Sequence, residues 1–91
     1  MEIDFGVVFG GNLCQAQVSD YRTYVRRALE SMSADSTEKA ERLFREAMRI
    51  EPAQRSNAMI YYQIGRMQEH RGKPEKALES YTMGLNVAPH V

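Results

Sequence analysis

The sequence predicts an all-α fold in which antiparallel helical hairpins stack side by side. Three observations carry this reading. Four segments place apolar residues at the three-and-four spacing of one helix face. Pro, Gly and Ser/Asp clusters punctuate the chain between them. The second and fourth segments match each other at a constant offset of 37 residues.

The first helix is expected from about Asp20 to Met32, with Tyr21, Tyr24, Val25, Ala28, Leu29 and Met32 on its apolar face and Ser19 or Asp20 as its cap. Ser31, Ser33, Asp35 and Ser36 favour a break after it. The second helix is expected from Thr37 to Ile50. Asp35 followed by Glu38 resembles a capping box that sets carboxylates at the positive helix end. Ala40, Leu43, Phe44, Ala47 and Met48 form its buried stripe, and Pro52 ends it.

The third helix is expected from Asn57 to Arg71, capped by Ser56 or Asn57. Ala58, Ile60, Tyr61, Ile64, Gly65 and Met67, with Met59 and Tyr62 to one side, make a set wider than one stripe. Neighbours on more than one side are therefore expected. Gly72 closes the helix. The fourth begins at Pro74, a favourable first-turn residue. Its inner face is read as Ala77, Leu78, Tyr81, Gly84, Leu85 and Ala88, and Pro89 stops it.

The internal match is the strongest signal. Ala40, Phe44, Ala47 and Pro52 align with Ala77, Tyr81, Gly84 and Pro89, while Leu43 and Ile50 meet Ser80 and Val87. Small residues admit a neighbouring helix, and the aromatic fills the space between helices. This pattern resembles the tetratricopeptide repeat, a helix–turn–helix unit of 34 residues. Over Ala58–Val91, Tyr61 takes the usual Trp place, Ile64 the Leu place and Gly65 the close-packing Gly place. Gln68 departs where Tyr is common, and Gly84 replaces the usual Ala. Over Tyr21–Gln54 the match is weaker: Tyr24 takes the aromatic place, but Arg27 falls at the Leu place, Ala28 at the Gly place and Ser31 at the Tyr place. Three extra residues within Gln54–Ser56 account for 37 in place of 34.

The resemblance implies a short right-handed superhelix over residues 21–91. It also implies a concave groove lined by the first helix of each pair, able to hold a peptide or partner helix. On this sequence the groove takes Arg22, Val25, Arg26, Leu29 and Met32, then Met59, Tyr62, Gln63, Arg66, Glu69 and His70. The residues chosen for partner binding are Arg22, Arg26, Met59, Tyr62, Gln63, Arg66, Glu69 and His70. Aromatic, Met and Arg groups together suit a segment with apolar and acidic side chains. Val25, Leu29 and Met59 also fit packing within the repeat, which is the preferred reading for Val25 and Leu29, while Tyr62 and Arg66 fit partner contact and plain surface equally well. The Lys/Asn set by which one subgroup clamps a C-terminal carboxylate is missing: Val25, Leu29, Tyr62 and Arg66 stand there instead.

Two repeats are few for a continuous core, and Met83 and Val87 add apolar area beside Tyr81 and Leu85. Homo-oligomerisation, cover from the N-terminal arm, or a continuation of the chain would each relieve this, and self-association is the reading preferred here.

Composition narrows the function. Ninety-one residues support one small core. Twelve basic and twelve acidic side chains cancel, which argues against a dominant phosphate-binding face. Residues 21–91 hold nine of the acids and all twelve bases, so the body is mildly basic. Arg22, Arg26 and Arg27, and then Arg42, Arg45 and Arg49, keep a nucleic-acid-binding module as the alternative, although Glu30, Glu38, Glu41 and Glu46 intersperse with them. A non-catalytic subunit of a larger enzyme complex is a further alternative.

Cys14 is the only cysteine, so no intrachain disulfide forms. His70 and His90 make no metal spacing with it. No catalytic residue, metal or cofactor is assigned, and the chain is read as a non-enzyme. Residues 1–20 are read as a separate arm. Ile3, Phe5, Val7 and Phe9 alternate like a short strand that closes at Gly10-Gly11. Acids stand where a signal peptide needs bases. The cytoplasm is slightly favoured, with export left open if the arm is the remnant of a precursor.

Overall fold

The computed structural model describes residues 19–89. Over that range the chain forms four helices and no strand: α1 (residues 19–33), α2 (Thr37–Ile50), α3 (Asn57–His70) and α4 (Pro74–Val87). The all-α fold of packed hairpins, α1 with α2 and α3 with α4, is as expected. The strand-like reading of Ile3–Phe9 lies outside the described residues, as do Cys14 and His90.

Both hairpins turn by the same backbone device. At the end of α1 the Ser36 N–H donates to the Ser31 carbonyl (2.8 Å) and the Asp35 N–H to that of Met32 (3.0 Å). At the end of α3 the Lys73 N–H donates to the Gln68 carbonyl (2.9 Å) and the Gly72 N–H to that of Glu69 (2.9 Å). This pair of bonds satisfies the last carbonyls of a helix and needs a left-handed residue just past its end. Asp35 (φ 63°) and Gly72 (φ 75°) supply it, and they too stand 37 residues apart.

The capping-box expectation is therefore corrected. Asp35 terminates α1, and the N-cap of α2 is Ser36, which makes no side-chain capping bond. Ser56 caps α3 by position, again without a side-chain capping bond. α3 ends at His70, one residue short of the expected Arg71. Pro74 sits in the first turn of α4, as expected. The three extra residues fall in the α2–α3 connection, a pair of turns held by Gln54 N–H to Glu51 carbonyl (3.3 Å) and Asn57 N–H to Gln54 carbonyl (3.0 Å).

The core is a single cluster. Tyr21 and Ala28 of α1, Ala40, Phe44, Ala47 and Met48 of α2, and Ile60, Ile64 and Met67 of α3 pack together. Tyr24, Val25, Met32, Leu43 and Tyr61 close its edges. α3 packs on both α2 and α4, which explains why its apolar set is wider than one stripe. Ala40 and Ala77 are fully buried, so small side chains sit where helices approach.

Polar ties join the hairpins. The Tyr21 hydroxyl donates to Asn57 Oδ1 (2.7 Å) and lies 2.7 Å from Ser56 Oγ, while Asn57 Nδ2 donates to the Glu51 carbonyl (2.9 Å). Asn57 is thus buried with its amide paired at both ends, as burial of a polar group requires. Arg71 Nη2 donates to Glu41 Oε1 (2.7 Å) and Nη1 to Thr37 Oγ1 (3.3 Å), across the two hairpins. Glu41 also accepts from Arg45 Nη2 (2.8 Å). Partial burial works to raise the Glu41 carboxyl, but hydrogen bonds from Arg71 and Arg45 prevail and hold it below the ordinary carboxylate range.

Three apolar residues depart from their expected burial. Leu78 (67% exposed) and Leu85 (62%) of α4 face solvent, as does Leu29 (45%) of α1. The three-and-four spacing identifies an apolar stripe, but here no element covers the outer half of α4's stripe within the described residues.

Candidate functional site

The expected groove residues divide between two helices. The 37-residue offset sets Arg22, Val25, Arg26 and Leu29 of α1 at the places that Met59, Tyr62, Gln63 and Arg66 hold on α3. Arg22, Arg26 and Leu29 are exposed and Val25 is half-buried. Met59 (51%), Tyr62 (47%) and Arg66 are exposed, while Gln63 is half-buried. Helix periodicity explains the pattern on α3: Tyr62 lies opposite the Ile60/Ile64/Met67 stripe that faces the core, Met59 and Arg66 lie to its side, and Gln63 lies nearest its edge.

On α3 the structure brings Tyr62, Arg66 and Glu69 into one connected patch, and it adds Tyr81 of α4. The Arg66 guanidinium carbon lies 5.9 Å from the centre of the Tyr62 ring, within cation–π range. The Tyr62 and Tyr81 rings stand 5.8 Å apart, tilted by 39°, a spacing typical of favourable aromatic pairs. The Tyr81 hydroxyl donates to Glu69 Oε1 at 2.6 Å. That hydrogen bond, with lesser help from burial and from the Glu69 charge, pushes the Tyr81 phenol up to about 12. Tyr81 is a neutral donor at physiological pH, as any phenol is, and its hydrogen bond orients the Glu69 carboxylate at the edge of the patch.

Beside this patch lies an open apolar hollow of 370 Å³, lined by Ala58, Met59, Tyr62, Tyr81, Gly84, Leu85 and Ala88. Small residues make its floor. A Cβ on Gly84 would come within 3.1 Å of the Ala58 carbonyl oxygen, so α3 and α4 meet here at backbone distance. Tyr81, Gly84 and Leu85 are expected on the inner face of α4, with apolar area left over beside Tyr81 and Leu85, and that leftover area is where the hollow opens. The readable signal was the 37-residue offset itself, since their counterparts Phe44, Ala47 and Met48 are covered by α3.

The α1 residues make a different surface. Arg26 pairs with Glu30 at 3.1 Å. The Arg27 guanidinium lies 5.8 Å from the Tyr24 ring centre. His70, the last residue of α3, is exposed. Two members of the second basic cluster are engaged with their own helix: Arg45 pairs with Glu41 and Arg49 with Glu46.

Among the described residues, no three His, Cys, Asp or Glu side chains converge as metal ligands would. No helix among them is long and apolar enough to cross a membrane. In comparison with known proteins, no family model, curated protein or solved structure gives a significant match to this chain.

Proposed function

We propose that this chain is a protein–protein interaction module of the tetratricopeptide-repeat kind, which binds a peptide or partner helix through the face lined by α1 and α3 and also self-associates. The observation that carries the reading is the Tyr62–Arg66 pair. A half-exposed aromatic ring with a guanidinium against it, flanked by exposed Met59, offers apolar area and a cation in one place. A segment alternating apolar anchors with Asp or Glu matches that chemistry, because Arg engages carboxylates in a planar fork and the rings take the apolar anchor. Arg22 and Arg26 extend positive charge along α1. The function so described is non-catalytic and needs no cofactor.

The test is selection from a displayed library of amphipathic peptides, with acidic and basic members in equal number. The wild-type chain is expected to enrich acidic members. Tyr62→Ala with Arg66→Ala is expected to abolish that enrichment while far-UV circular dichroism keeps its helical signal. Undiminished enrichment by the double variant would place the interface elsewhere.

A further inference from the structure

The two hairpins present equivalent faces, and only one is covered. In the first hairpin Phe44 and Met48 of α2 lie under α3, at 1% and 8% exposure. Their counterparts at the 37-residue offset are Tyr81 and Leu85 of α4, and Leu85 is 62% exposed. The open hollow described above occupies the place where α3 sits on the first hairpin. The packing surface that holds the molecule together is thus repeated at its end without an occupant among the described residues.

The second seat differs from the first in a way that specifies the occupant. α3 carries Arg71 at its end, and the first seat receives it with Glu41 and Thr37. The corresponding residues of the second seat are Leu78 and Pro74. Both acceptors are gone, so this seat matches an apolar helix with no cation at its end. The second half of α4 has that character: Ser80–Pro89 contains no charged residue, and Leu85 stands exposed within it.

We propose that the α3–α4 face is covered by the same face of a second copy, with the two α4 helices antiparallel across a two-fold axis near Tyr81 and Thr82. The proposal rests on the self-association part of the reading above and gives it a location. Charge selects the orientation. The charged residues of α4, Glu75, Lys76 and Glu79, all lie in its first half. An antiparallel pair sets each charged half beside an uncharged half and brings Leu78 of one copy to Leu85 of the other. A parallel pair would set Glu75 against Glu75 and Lys76 against Lys76, which is unfavourable. The area is modest. Helices of 14 residues are about 21 Å long and pack about 10 Å apart, so each copy offers a face of roughly 400 Å² in outline. Two such outlines total about 800 Å², below the ~1,200 Å² of standard specific interfaces, which fits a weak dimer that forms in the micromolar range.

Sedimentation equilibrium of the full chain from ~1 to ~200 µM tests this, a range set around the micromolar affinity expected for that area. The average mass is expected to rise from 10.4 kDa toward twice that value. Leu85→Glu, at an exposed position, is expected to weaken association at least tenfold, while Leu29→Glu on α1 leaves it unchanged. Thr82→Cys in a Cys14→Ser background is expected to give a covalent dimer with a short bismaleimide, and this readout decides the matter if Leu85→Glu fails to fold. A wild-type chain that stays at monomer mass throughout overturns self-association altogether. A wild-type dimer that Leu85→Glu leaves intact, or that Thr82→Cys fails to trap, overturns the α4 location and leaves self-association standing. Met59 and Tyr62 line the same hollow, so the dimer is expected to compete with peptide binding, and enrichment through Tyr62 and Arg66, read at concentrations where the chain is monomeric, remains a separate test.

Discussion

Gly65 is the position where a single added methyl group has the most informative effect. A Cβ there would lie 2.5 Å from Tyr81 Cε1, 2.8 Å from Cδ1 and 2.9 Å from Cζ. Carbon atoms in ordinary contact stand ~3.5 Å apart or more, so the ring must retreat by about 1 Å. Overpacking of this size costs about 1–3 kcal/mol. Alanine in place of glycine inside a helix recovers about 1 kcal/mol. The displaced ring also strains the Tyr81–Glu69 hydrogen bond, a charge-assisted but exposed contact. Gly65→Ala is therefore expected to destabilise by up to about 2 kcal/mol, or up to ~16 °C in Tm for a domain of this size. The decisive comparison is the same change made in a Tyr81→Ala background. With the ring gone, the methyl meets none of those atoms, and only the helix-propensity gain of ~1 kcal/mol remains. The sign of the effect is expected to reverse. Urea denaturation followed by circular dichroism measures all four corners of this cycle. Equal effects in both backgrounds would refute the close contact between Gly65 and Tyr81.

Three further outcomes are expected. Tyr21→Phe strips the donor from buried Asn57 Oδ1 and should cost about 1–3 kcal/mol in chemical denaturation, although the substituted ring retains its shape. Asp35→Gly should be neutral or stabilising and Asp35→Ala destabilising by ~1 kcal/mol, because φ is 63° there; equal losses from both would restore the capping role. Glu41 has a lowered folded-state carboxyl, so its contribution is present above the ordinary value of 4.5 and is lost as pH falls through its lower folded value. The stability advantage of wild type over Glu41→Gln should thus persist at neutral pH and vanish in acid, and stay below ~1 kcal/mol because the ion pairs are partly open to solvent.

The helices were legible in the sequence because their boundaries are set by local chemistry. Pro74 and the left-handed Gly72 fix the start of α4 and the end of α3 to within a residue. Asp35 was misread because a short polar residue between two helices serves as a cap for the second or a left-handed stop for the first, and neighbouring residues look alike in both cases. Burial of Asn57 and Gln68 could not be read locally. Asn57 is justified by Tyr21, 36 residues earlier, and Gln68 by Ser80, whose hydroxyl donates to its Oε1 at 2.6 Å. Exposure of Leu78 was illegible for the opposite reason, and that of Leu85 was legible only as surplus apolar area on the last helix: apolar spacing marks a face suited to burial and carries no information on whether another element lies over it. At the candidate site, the sequence picked out Tyr62, Arg66 and Glu69. It missed Tyr81, which links them from the neighbouring helix.

The second hairpin departs from the first in compensating pairs. Where the first has Ser31 and Leu43, the second has Gln68 and Ser80, hydrogen-bonded to each other. Where the first has Ala28 and Phe44, the second has Gly65 and the Tyr81 ring that fills the space a Cβ would take. In these two pairs a loss on one helix is matched by a change on its partner, as the packing of a shared interior demands. Two of the departures without such a partner within the described residues stand out on α4: Glu41 becomes Leu78, and covered Met48 becomes exposed Leu85. Both make the end face more apolar than a solvated surface requires, and both lie on the outer stripe of α4. The antiparallel second copy proposed above would complete them in the same manner, Leu78 against Leu85, and so extend to the end face the pairing that joins Gln68 to Ser80 and Gly65 to Tyr81.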